Sequence, residues 1–483
     1  MAEAGQAGRY VQAIATTDTA ATGGAERVEI AKQSGEPTPD PADTVVFGSA
    51  DHLADSFELP PSKSHLIRAL IAAALADSPS EIWLPTAPEN PGAELAALAP
   101  LLPRDAWHAL QAAASLGAVC RLKEGRAIEV IPDATARQSR LFCGESALLL
   151  RLMLPIASAL GGIAELDGEG TLLCRPIDEL IAPLTGLGIR AARQHPHRAL
   201  PLCLTGQLQS GVATLDGSLT SQLMSGLLMA LPLCQGPSRL TIERLTSRPY
   251  LDLTRHVLAD FGVAIQALSD DTFAIEGGQR YRGARVEVEA DWSAAAFALV
   301  IGALRRDAPP IALQGLWPTS RQADRAICDI LSDIGASIAW HRDAILCRRG
   351  ELTAFDLSLR DAPDLLPPLA VLALFCSGTS RLRDIGRTRF KESDRPTALI
   401  SELGKLGARL WTEGDDLCIQ GGPLRGGTAL SRGDHRLAMA IAVAAHCGGV
   451  DVDIAGGELA VQKSFPRFFA CLNALPKTAN ATP

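Results

Sequence analysis

The chain has 483 residues, of which 47% are hydrophobic and 20% are charged, and its formal net charge is −9. A chain of this length is expected to form two or more domains, and this composition is typical of a soluble globular protein. The acidic balance argues against a general nucleic-acid binder.

The eleven cysteines are scattered singly along the chain, with no Cys-x-x-Cys pair and no Cys/His cluster. Isolated thiols of this kind are typical of buried apolar positions in a reducing compartment. We therefore expect reduced cysteines and no structural zinc site.

Residues 1–45 are rich in Ala, Gly, Thr, Glu and Pro and lack a clear hydrophobic period, which predicts a disordered extension. They contain no apolar stretch of a secretory signal, and their acidic residues weigh against an organellar transit peptide. The longest apolar run, Ala147–Leu160, is interrupted by Arg151 and is too short for a membrane span, so it predicts a buried core helix. We expect a cytoplasmic protein with no membrane partner and no nucleic-acid partner.

An internal repeat organises the rest of the chain. A helical pattern runs into an apolar-Gly-apolar step and then into an alternating segment, five times, with glycines 71 to 74 residues apart. These glycines are Gly117, Gly188, Gly262, Gly335 and Gly407. Each is expected to end a helix in a left-handed C-cap before a strand that packs back on that helix. A sixth helical pattern closes the chain, so we predict six mixed units that share cores in two pseudo-symmetric domains.

Cations recur where helices are predicted to begin. The sites are Lys63 and Arg68 after two prolines, Arg175, Lys391, Arg395, Arg436 and Lys463. A cation at a helix N-terminus opposes the helix dipole, so this placement is unfavourable unless an anion binds there. The repetition predicts helix starts that converge on a polyanionic ligand. Arg151, inside an apolar helix, is expected to form a structural salt bridge.

Hydroxyl groups precede another predicted helix at Thr220 and Ser221. They are suited either to hold phosphate oxygens or to cap the helix, and the sequence leaves both roles open. Ser247 and Tyr250 lie beside a second proline turn. The strongest local inversion of charge is the nonamer from Arg387 to Arg395, with four cations and two carboxylates. If it opens a helix, its charged pairs lie close on one side of the first turn.

Several of these segments together resemble the enolpyruvyl transferases. They are Pro-Ser-Lys63-Ser, Arg175-Pro, Ser221-Gln222, Ser247-Arg-Pro-Tyr250, Pro-Asp364, Lys391-Glu-Ser-Asp-Arg395, Asp-His435-Arg436 and Lys463-Ser-Phe-Pro. The resemblance runs from about residue 59 to residue 475 and is closest to the branch that uses shikimate-3-phosphate.

The resemblance implies an α/β fold of two pseudo-symmetric domains. Each domain has three βαβαββ units of the inside-out α/β barrel type, with the active site in the interdomain cleft. The chain would cross between domains twice. One domain is then residues 63–289, the other is 46–62 plus 290–475, and 476–483 form a tail.

The resemblance also implies the site. Shikimate-3-phosphate would be bound by Lys63, Ser64, Arg68, Thr220, Ser221, Gln222, Ser247, Tyr250, Asp364, Arg387 and Lys391. Phosphoenolpyruvate would be bound by Lys63, Ala147, Arg175, Gln222, Arg395, His435, Arg436 and Lys463. Arg suits the donor's carboxylate and phosphate because its planar fork binds such groups bidentately.

The implied reaction is addition followed by elimination through a tetrahedral intermediate, transferring the enolpyruvyl group to the 5-hydroxyl of shikimate-3-phosphate. Glu392 would deliver a proton to the methylene carbon, Asp364 would serve the attacking hydroxyl, and Lys63 would act as an acid, a base or an electrostatic group. No metal and no organic cofactor is expected. The family is expected to be monomeric and to close its domains on substrate, excluding water.

Two positions depart from the family pattern. Ala147 replaces a glycine expected to lie against phosphoenolpyruvate, in a segment where Leu148 replaces a threonine. The added methyl group should crowd that pocket, so we expect weakened inhibition by glyphosate, which occupies it. Arg387 stands where some relatives have Asn near the acceptor ring, so the sequence leaves open whether the acceptor is shikimate-3-phosphate.

Three functions therefore stay open at the level of sequence. The first is transfer to shikimate-3-phosphate in aromatic amino-acid biosynthesis. The second is enolpyruvyl transfer to another hydroxyl acceptor in specialised metabolism. The third is a non-catalytic paralogue, against which the intact Lys63, Asp364, Glu392 and Arg395 argue.

Overall fold

The computed structural model describes residues 55–86, 94–175, 177, 181–306 and 308–476. The predicted extension over residues 1–45 lies outside this part of the chain, as do residues 46–54 and all of the predicted tail except residue 476. None of the described helices is both long and apolar enough to span a membrane.

The described α-helices, in chain order, have these bounds: α1 Lys63–Ala74, α2 Arg104–Ser115, α3 Ala147–Leu160, α4 Gln222–Ala230, α5 Arg248–Asp260, α6 Trp292–Leu304, α7 Ile327–Asp333, α8 Leu366–Leu374, α9 Arg395–Lys405, α10 His435–Gly448, α11 Gly457–Val461 and α12 Phe468–Ala474. The buried helix predicted at α3 is confirmed with the same limits.

The strands run in the order β1 Asp55–Ser56, β2 Ser80–Trp83, β3 Val119–Lys123, β4 Ala127–Ile131, β5 Arg140–Phe142, β6 Glu165–Asp167, β7 Ile189–Arg193, β8 Leu202–Gly206, β9 Val212–Asp216, β10 Ser238–Glu243, β11 Gln266–Ala267, β12 Thr272–Ile275, β13 Arg285–Glu287, β14 Ile311–Gln314, β15 Ser337–His341, β16 Ala344–Arg348, β17 Asp356–Ser358, β18 Thr379–Arg383, β19 Arg409–Glu413, β20 Asp416–Gln420, β21 Gly427–Leu430 and β22 Val452–Ala455.

The sheets repeat one topology. In the described residues, five sheets have four strands, ordered β13-β2-β4-β3, β5-β6-β8-β7, β9-β10-β12-β11, β1-β14-β16-β15 and β17-β18-β20-β19. Each combines one parallel pair with antiparallel pairs, as where β10 runs parallel to β9 and antiparallel to β12. A sixth sheet contains the parallel pair β21-β22. This mixed topology confirms the predicted α/β fold class.

The glycines that mark the repeat have the predicted backbone conformation. Gly117, Gly188, Gly262, Gly335 and Gly407 have φ values of +100°, +82°, +75°, +103° and +91°. Only glycine adopts such angles without strain, and each residue reverses the chain from a helical segment toward a strand. At Gly117 an added Cβ would lie 1.9 Å from the carbonyl oxygen of Asp133, so the close approach of the returning chain also requires glycine.

Two separate apolar cores organise the chain. One contains buried residues between Leu66 and Val288, and the other contains Phe57, Leu59 and residues from Ala290 to Leu475. We call these parts the first half and the second half. Every residue of α6 and of α8 is buried, so in the second half helices fill the interior and sheets cover them. This is the inside-out arrangement that the sequence predicts.

The two chain segments that connect the halves lie side by side. Ser62 N donates to Glu289 O at 2.8 Å, and Asp291 N donates to Pro60 O at 2.9 Å. The predicted domain boundaries, at 62/63 and 289/290, fall within these paired segments. The boundaries stay a prediction, which the two cores and this pairing support.

Candidate active site

The start of α1 is held by a carboxylate from the second half. Ser62 Oγ accepts a hydrogen bond from the His65 amide at 3.4 Å, and Asp291 Oδ2 accepts one from the Lys63 amide at 3.1 Å. Oδ1 of Asp291 also accepts from the Ala294 amide in α6, at 2.8 Å. One carboxylate thus caps a helix in each half and fixes Lys63 to the connection between them.

The Lys63 ammonium forms an ion pair with Asp105, with Nζ and Oδ2 3.1 Å apart. Burial opposes the charge of Asp105, but Lys63 and Lys463 outweigh burial and lower its pKa. Asp105 is not among the predicted site residues, because it lies 42 residues from Lys63 and no motif relates the two.

Arg68 is buried and, among the described residues, has uncharged hydrogen-bond partners. It donates to Thr254 Oγ1 and to Ser64 O, both at 2.8 Å, and to Ser225 Oγ at 3.3 Å. Burial lowers the pKa of Arg68 to about 10, so the guanidinium stays charged at neutral pH. Ser64 is partly buried next to Lys63.

The hydroxyl residues predicted to hold phosphate lie where α4 and α5 begin. Thr220 Oγ1 accepts from the Gln222 amide at 3.2 Å, so Thr220 takes the capping role. Ser221 occupies the N-cap of α4 and Ser247 the N-cap of α5, each without a capping bond from its side chain. Ser247 has φ +56°, which is unusual for a residue other than glycine. Tyr250 lies in the first turn of α5.

Gln222 is oriented by Arg151. Nη1 of Arg151 donates to Oε1 of Gln222 at 2.6 Å, so the structural salt bridge predicted for Arg151 is wrong: its partner is an amide. Burial and the nearby Arg175 lower the pKa of Arg151 to about 10. Because the amide oxygen accepts from Arg151, the amide nitrogen of Gln222 remains a donor for an anion.

Glu392 lies among three cations from both halves. Its Oε1 lies 2.9 Å from Arg175 Nη2 and 3.7 Å from Lys463 Nζ, and its Oε2 accepts from Arg395 Nη2 at 3.0 Å. The carboxylate side chain is 8% exposed. Burial disfavours its charge, but Arg175, Lys463 and Arg395 outweigh burial and hold the pKa of Glu392 well below its usual range.

Asp364 forms the second such centre. Its Oδ1 accepts from Arg395 Nη1 at 2.7 Å and lies 3.4 Å from Lys391 Nζ, while Arg436 Nη2 donates to Oδ2 at 3.2 Å. Burial is again outweighed by these cations, and the pKa of Asp364 is held well below its usual range. Burial lowers the pKa of Lys391 to about 8, although Asp364 opposes this shift.

Asp434 completes the set of partners around Arg395 and is absent from the predicted site. Arg395 Nε donates to Asp434 Oδ2 at 2.9 Å, and Ser393 Oγ donates to the same oxygen at 3.0 Å. Asp434 Oδ1 caps α10 at the Arg436 amide, at 2.9 Å. The neighbouring His435 is buried, and burial holds its pKa well below the usual value, so its ring is neutral.

Ala147 is the first residue of α3 and is buried. Just before it, Ser146 caps the helix, and the carbonyl oxygen of Glu145 accepts from Lys463 Nζ at 3.0 Å. Ala147 therefore follows, by two positions in the chain, the residue whose backbone oxygen contacts Lys463.

The charged nonamer does not open a single helix, so the condition of that prediction is not met, although Glu392 and Arg395 do form a close pair. A 3-10 helix spans Gly386–Phe390, and α9 begins only at Arg395. Lys391 and Glu392 lie between them. Of the cations predicted at helix starts, Lys63, Arg395 and Arg436 lie in the first turn of an α-helix. The prediction is wrong for Arg68, which is the sixth residue of α1, and for Lys391 and Lys463, which lie in connecting segments. The helix predicted after Arg175 lies largely outside the described residues.

The site spans the two halves. Arg175 of the first half contacts Glu392 of the second, Lys463 contacts Glu145, and Arg387 donates to Ser247 Oγ at 2.7 Å. The structure brings Arg175, Lys391, Arg395, Arg436 and Lys463 together in two linked groups, one around Glu392 and one around Asp364, that share Arg395. Lys63, Arg68 and Arg387 have other partners. The predicted hydroxyl residues line the first half beside them. Such an excess of cations around two low-pKa carboxylates is suited to bind a polyanion.

Glu392, Asp434 and His435 also offer three donor atoms within 4.8 Å of one another, a spacing that would suit a metal ion. Arg395 already contacts both carboxylates, and Arg175 and Lys463 contact Glu392. These side-chain cations neutralise the donor set, which makes the cluster an anion site rather than a metal site.

Comparisons with known proteins agree on one family. A sequence model of the family described as EPSP synthase (3-phosphoshikimate 1-carboxyvinyltransferase) matches residues 49–472. The protein named 3-phosphoshikimate 1-carboxyvinyltransferase from Halobacterium salinarum is 35% identical over 86% of this chain and 95% of its own length. The protein of the same name from Clostridium kluyveri is 34% identical over 88% of this chain and 95% of its own.

Solved structures give the same fold. EPSP synthase from Acinetobacter baumannii superposes with a TM-score of 0.66 at 23% identity, covering 89% of this chain and 96% of that one. The enolpyruvyl transferase NikO from Streptomyces tendae gives a TM-score of 0.65 at 18% identity, covering 88% and 95%.

Proposed function

The chain belongs to the EPSP synthase (3-phosphoshikimate 1-carboxyvinyltransferase) family, and on that premise we propose that it transfers the enolpyruvyl group of phosphoenolpyruvate to the 5-hydroxyl of shikimate-3-phosphate. The reaction releases phosphate and belongs to the shikimate pathway, which leads to chorismate and the aromatic amino acids. One observation carries the proposal: the carboxylates of Glu392 and Asp364, whose side chains are 8% and 16% exposed, are each held by three cations where the halves meet.

The donor subsite is proposed around Glu392. The carboxylate and phosphate of phosphoenolpyruvate compete with Glu392 for Arg175, Arg395 and Lys463, because all three groups are anions suited to the same donors. The remaining proposed donor contacts are Lys63, Ala147, Gln222, His435 and Arg436. The neutral ring of His435 can donate a hydrogen bond without adding charge.

The acceptor subsite is proposed between Asp364 and the hydroxyl residues of the first half. Asp364 and Lys391 would contact the ring hydroxyls, while Thr220, Ser221 and Ser247 would contact the phosphate. Lys63, Ser64, Arg68, Gln222, Tyr250 and Arg387 complete the proposed set. The uncharged partners of Arg68 support this assignment, since the charge of Arg68 remains to be balanced by a ligand.

Glu392 is the proposed proton donor to the methylene carbon of phosphoenolpyruvate. Its cations hold it ionised in the structure, so it must gain a proton before it can donate one. Donor binding supplies the means: once the donor's anionic groups engage Arg175 and Lys463, those cations stabilise the ionised form of Glu392 less, and its pKa rises. The proton therefore arrives only when the donor is in place.

Asp364 is the proposed base for the attacking hydroxyl. Its lowered pKa keeps it ionised at neutral pH, as a base requires. The acceptor oxygen bonds to the carbon that bears the phosphate while the methylene carbon gains a proton, which gives a tetrahedral intermediate. Elimination then breaks the carbon–phosphate oxygen bond, and the methyl group returns a proton. Lys63, with Arg395 and Arg436, would stabilise the leaving phosphate.

We also propose that the protein acts as a cytoplasmic monomer with these two small molecules as its partners. The family relationship supports this, and the described helices include none that could span a membrane. Closure of the halves on substrate would bring Lys63 and Lys391 to one ligand.

The test is phosphate release from phosphoenolpyruvate plus shikimate-3-phosphate by the full chain. Glu392→Gln keeps the shape of the side chain and removes the transferable proton, so turnover should fall by about 10²- to 10⁴-fold. Glu243→Gln makes the same chemical change at an exposed strand position and should leave turnover unchanged. Phosphoenolpyruvate binding without turnover on shikimate-3-phosphate would refute the proposed acceptor. A Glu392→Gln variant as active as the parent would refute the assigned proton donor.

A further inference from the structure

Arg387, like Arg68, differs from most cations of the site because its hydrogen-bond partners are uncharged. Lys63, Arg175, Lys391, Arg395, Arg436 and Lys463 each pair with a carboxylate. Arg387 contacts hydroxyl and carbonyl oxygens and, among the described residues, pairs with no carboxylate. Its charge is thus not balanced by the protein at short range.

The guanidinium of Arg387 is fixed in place from both halves. Nη2 donates to the carbonyl oxygens of Leu359, at 3.3 Å, and Arg360, on its own half. Nη1 donates to Thr246 Oγ1 at 2.8 Å and to Ser247 Oγ at 2.7 Å, on the first half. Because backbone carbonyls already hold Nη2, the side chain loses little conformational freedom when another nitrogen of the guanidinium binds a ligand.

One N–H group of the Arg387 guanidinium does not donate a hydrogen bond within the described part of the chain. Nε of Arg387 is buried and has no hydrogen-bond partner among the described residues. A buried N–H without an acceptor is unfavourable, and an anion bound beside the guanidinium would supply the missing acceptor. Burial also lowers the pKa of Arg387, although Asp361 and Tyr250 oppose the shift, so an anionic ligand would relieve a desolvated charge.

Ser247 presents its hydroxyl to the same place. Its left-handed backbone, at φ +56°, leaves the hydroxyl without a capping role at the start of α5. The hydroxyl accepts a hydrogen bond from Nη1 of Arg387 and keeps its own proton to donate. A phosphate at this position would accept from Ser247 and from Arg387 together.

We propose that Arg387 is a specificity-determining residue that binds the phosphate of the acceptor together with Ser247, and so selects a phosphorylated hydroxy acid over the same acid without phosphate. This inference rests on the proposed function, because it assumes that the acceptor occupies the cleft between Asp364 and Ser247.

The experiment compares two acceptors in three proteins. Binding of shikimate-3-phosphate and of shikimate to the full chain is measured by titration calorimetry for the parent, Arg387→Gln and Arg387→Lys. Arg387→Gln should weaken shikimate-3-phosphate binding about 10- to 100-fold, as expected for loss of a charged hydrogen-bond donor, and change shikimate binding less than about twofold. Arg387→Lys should recover part of the loss, since it restores charge without the fork.

Arg360→Gln is the matched control. Arg360 also crosses the cleft, with Nη2 donating to Leu245 O at 3.2 Å, but the backbone carbonyl that holds Arg387 is unchanged by this substitution. It should bind both acceptors as the parent does. In turnover, Arg387→Gln should raise KM for shikimate-3-phosphate and leave KM for phosphoenolpyruvate within about twofold.

The outcomes separate the two proposals. Equal weakening of both acceptors in Arg387→Gln, or no weakening of either, overturns the phosphate assignment while the proposed reaction stands. The phosphate assignment is also overturned if the parent turns over shikimate-3-phosphate but prefers it to shikimate no more strongly than Arg387→Gln does. A parent protein that binds no shikimate-3-phosphate overturns the proposed acceptor and this inference with it.

Discussion

Replacing Arg395 by Met should destabilise the folded protein severely, and the structure identifies the reason. The Arg395 side chain is 2% exposed and contacts Glu392, Asp364 and Asp434. The first two carboxylates keep other cations when Arg395 is lost. Among the described residues Asp434, which is fully buried, has no other cationic side chain at hydrogen-bond distance.

The expected loss in free energy of unfolding is therefore that of one uncompensated buried charge, about 3–5 kcal/mol. If this account is right, Asp434→Asn should rescue Arg395→Met, because it removes the orphaned charge and keeps an oxygen for the Arg436 amide. The double variant should lie within about 1–2 kcal/mol of the parent, while its turnover stays low because Arg395 is a proposed donor-binding residue.

Urea unfolding followed by far-UV circular dichroism, at one pH and with matched slopes, measures these changes for the parent, both single variants and the double variant. Simple additivity of the two single-variant losses would refute the reasoning, since it would mean that the charges of Arg395 and Asp434 do not stabilise each other.

Three further predictions follow from the charges and packing of the site. Donor binding should be accompanied by proton uptake at Glu392, so calorimetry in buffers of different ionisation enthalpy should show greater uptake in the parent than in Glu392→Gln; equal uptake would contradict the proposed rise in pKa. Because the pKa of Lys391 is about 8, its charge is lost as pH rises through that value, and kcat/KM for shikimate-3-phosphate should fall above pH 8 in the parent but not in Lys391→Arg. If Ala147 lies in the proposed donor subsite, Ala147→Gly should strengthen inhibition by glyphosate by about 10- to 100-fold at fixed phosphoenolpyruvate, because it removes a methyl group; unchanged inhibition would rule out crowding by that group.

The fold was largely readable from the sequence because its signals are local. A positive φ at Gly117 or Gly407 depends on the few residues around it, and an apolar run such as Ala147–Leu160 becomes a buried helix wherever the core lies. The near-constant spacing of these glycines then revealed the internal repeat and predicted the number of repeated units.

The site was readable only in part, because its partners are distant in sequence. Asp105 pairs with Lys63, Asp434 with Arg395, and Arg151 with an amide 71 residues away. No periodicity or spacing relates such residues, and only the packing of helix starts against one another brings them together. The nonamer shows a further limit: its charge pattern does not reveal that Glu392 precedes α9, where it contacts both Arg395 and, on the other half, Arg175.

The paired segments that connect the halves have a consequence for how the protein can be cut and rejoined. With the predicted boundaries, the first half is an insertion into the second half, and its two connecting segments lie side by side, with Asp291 N 2.9 Å from Pro60 O. Removing that insertion would leave two ends already in contact, so a very short peptide could close the gap. A single cut in either connection would leave the other intact, so the first half would stay covalently joined to one of the two segments of the second half.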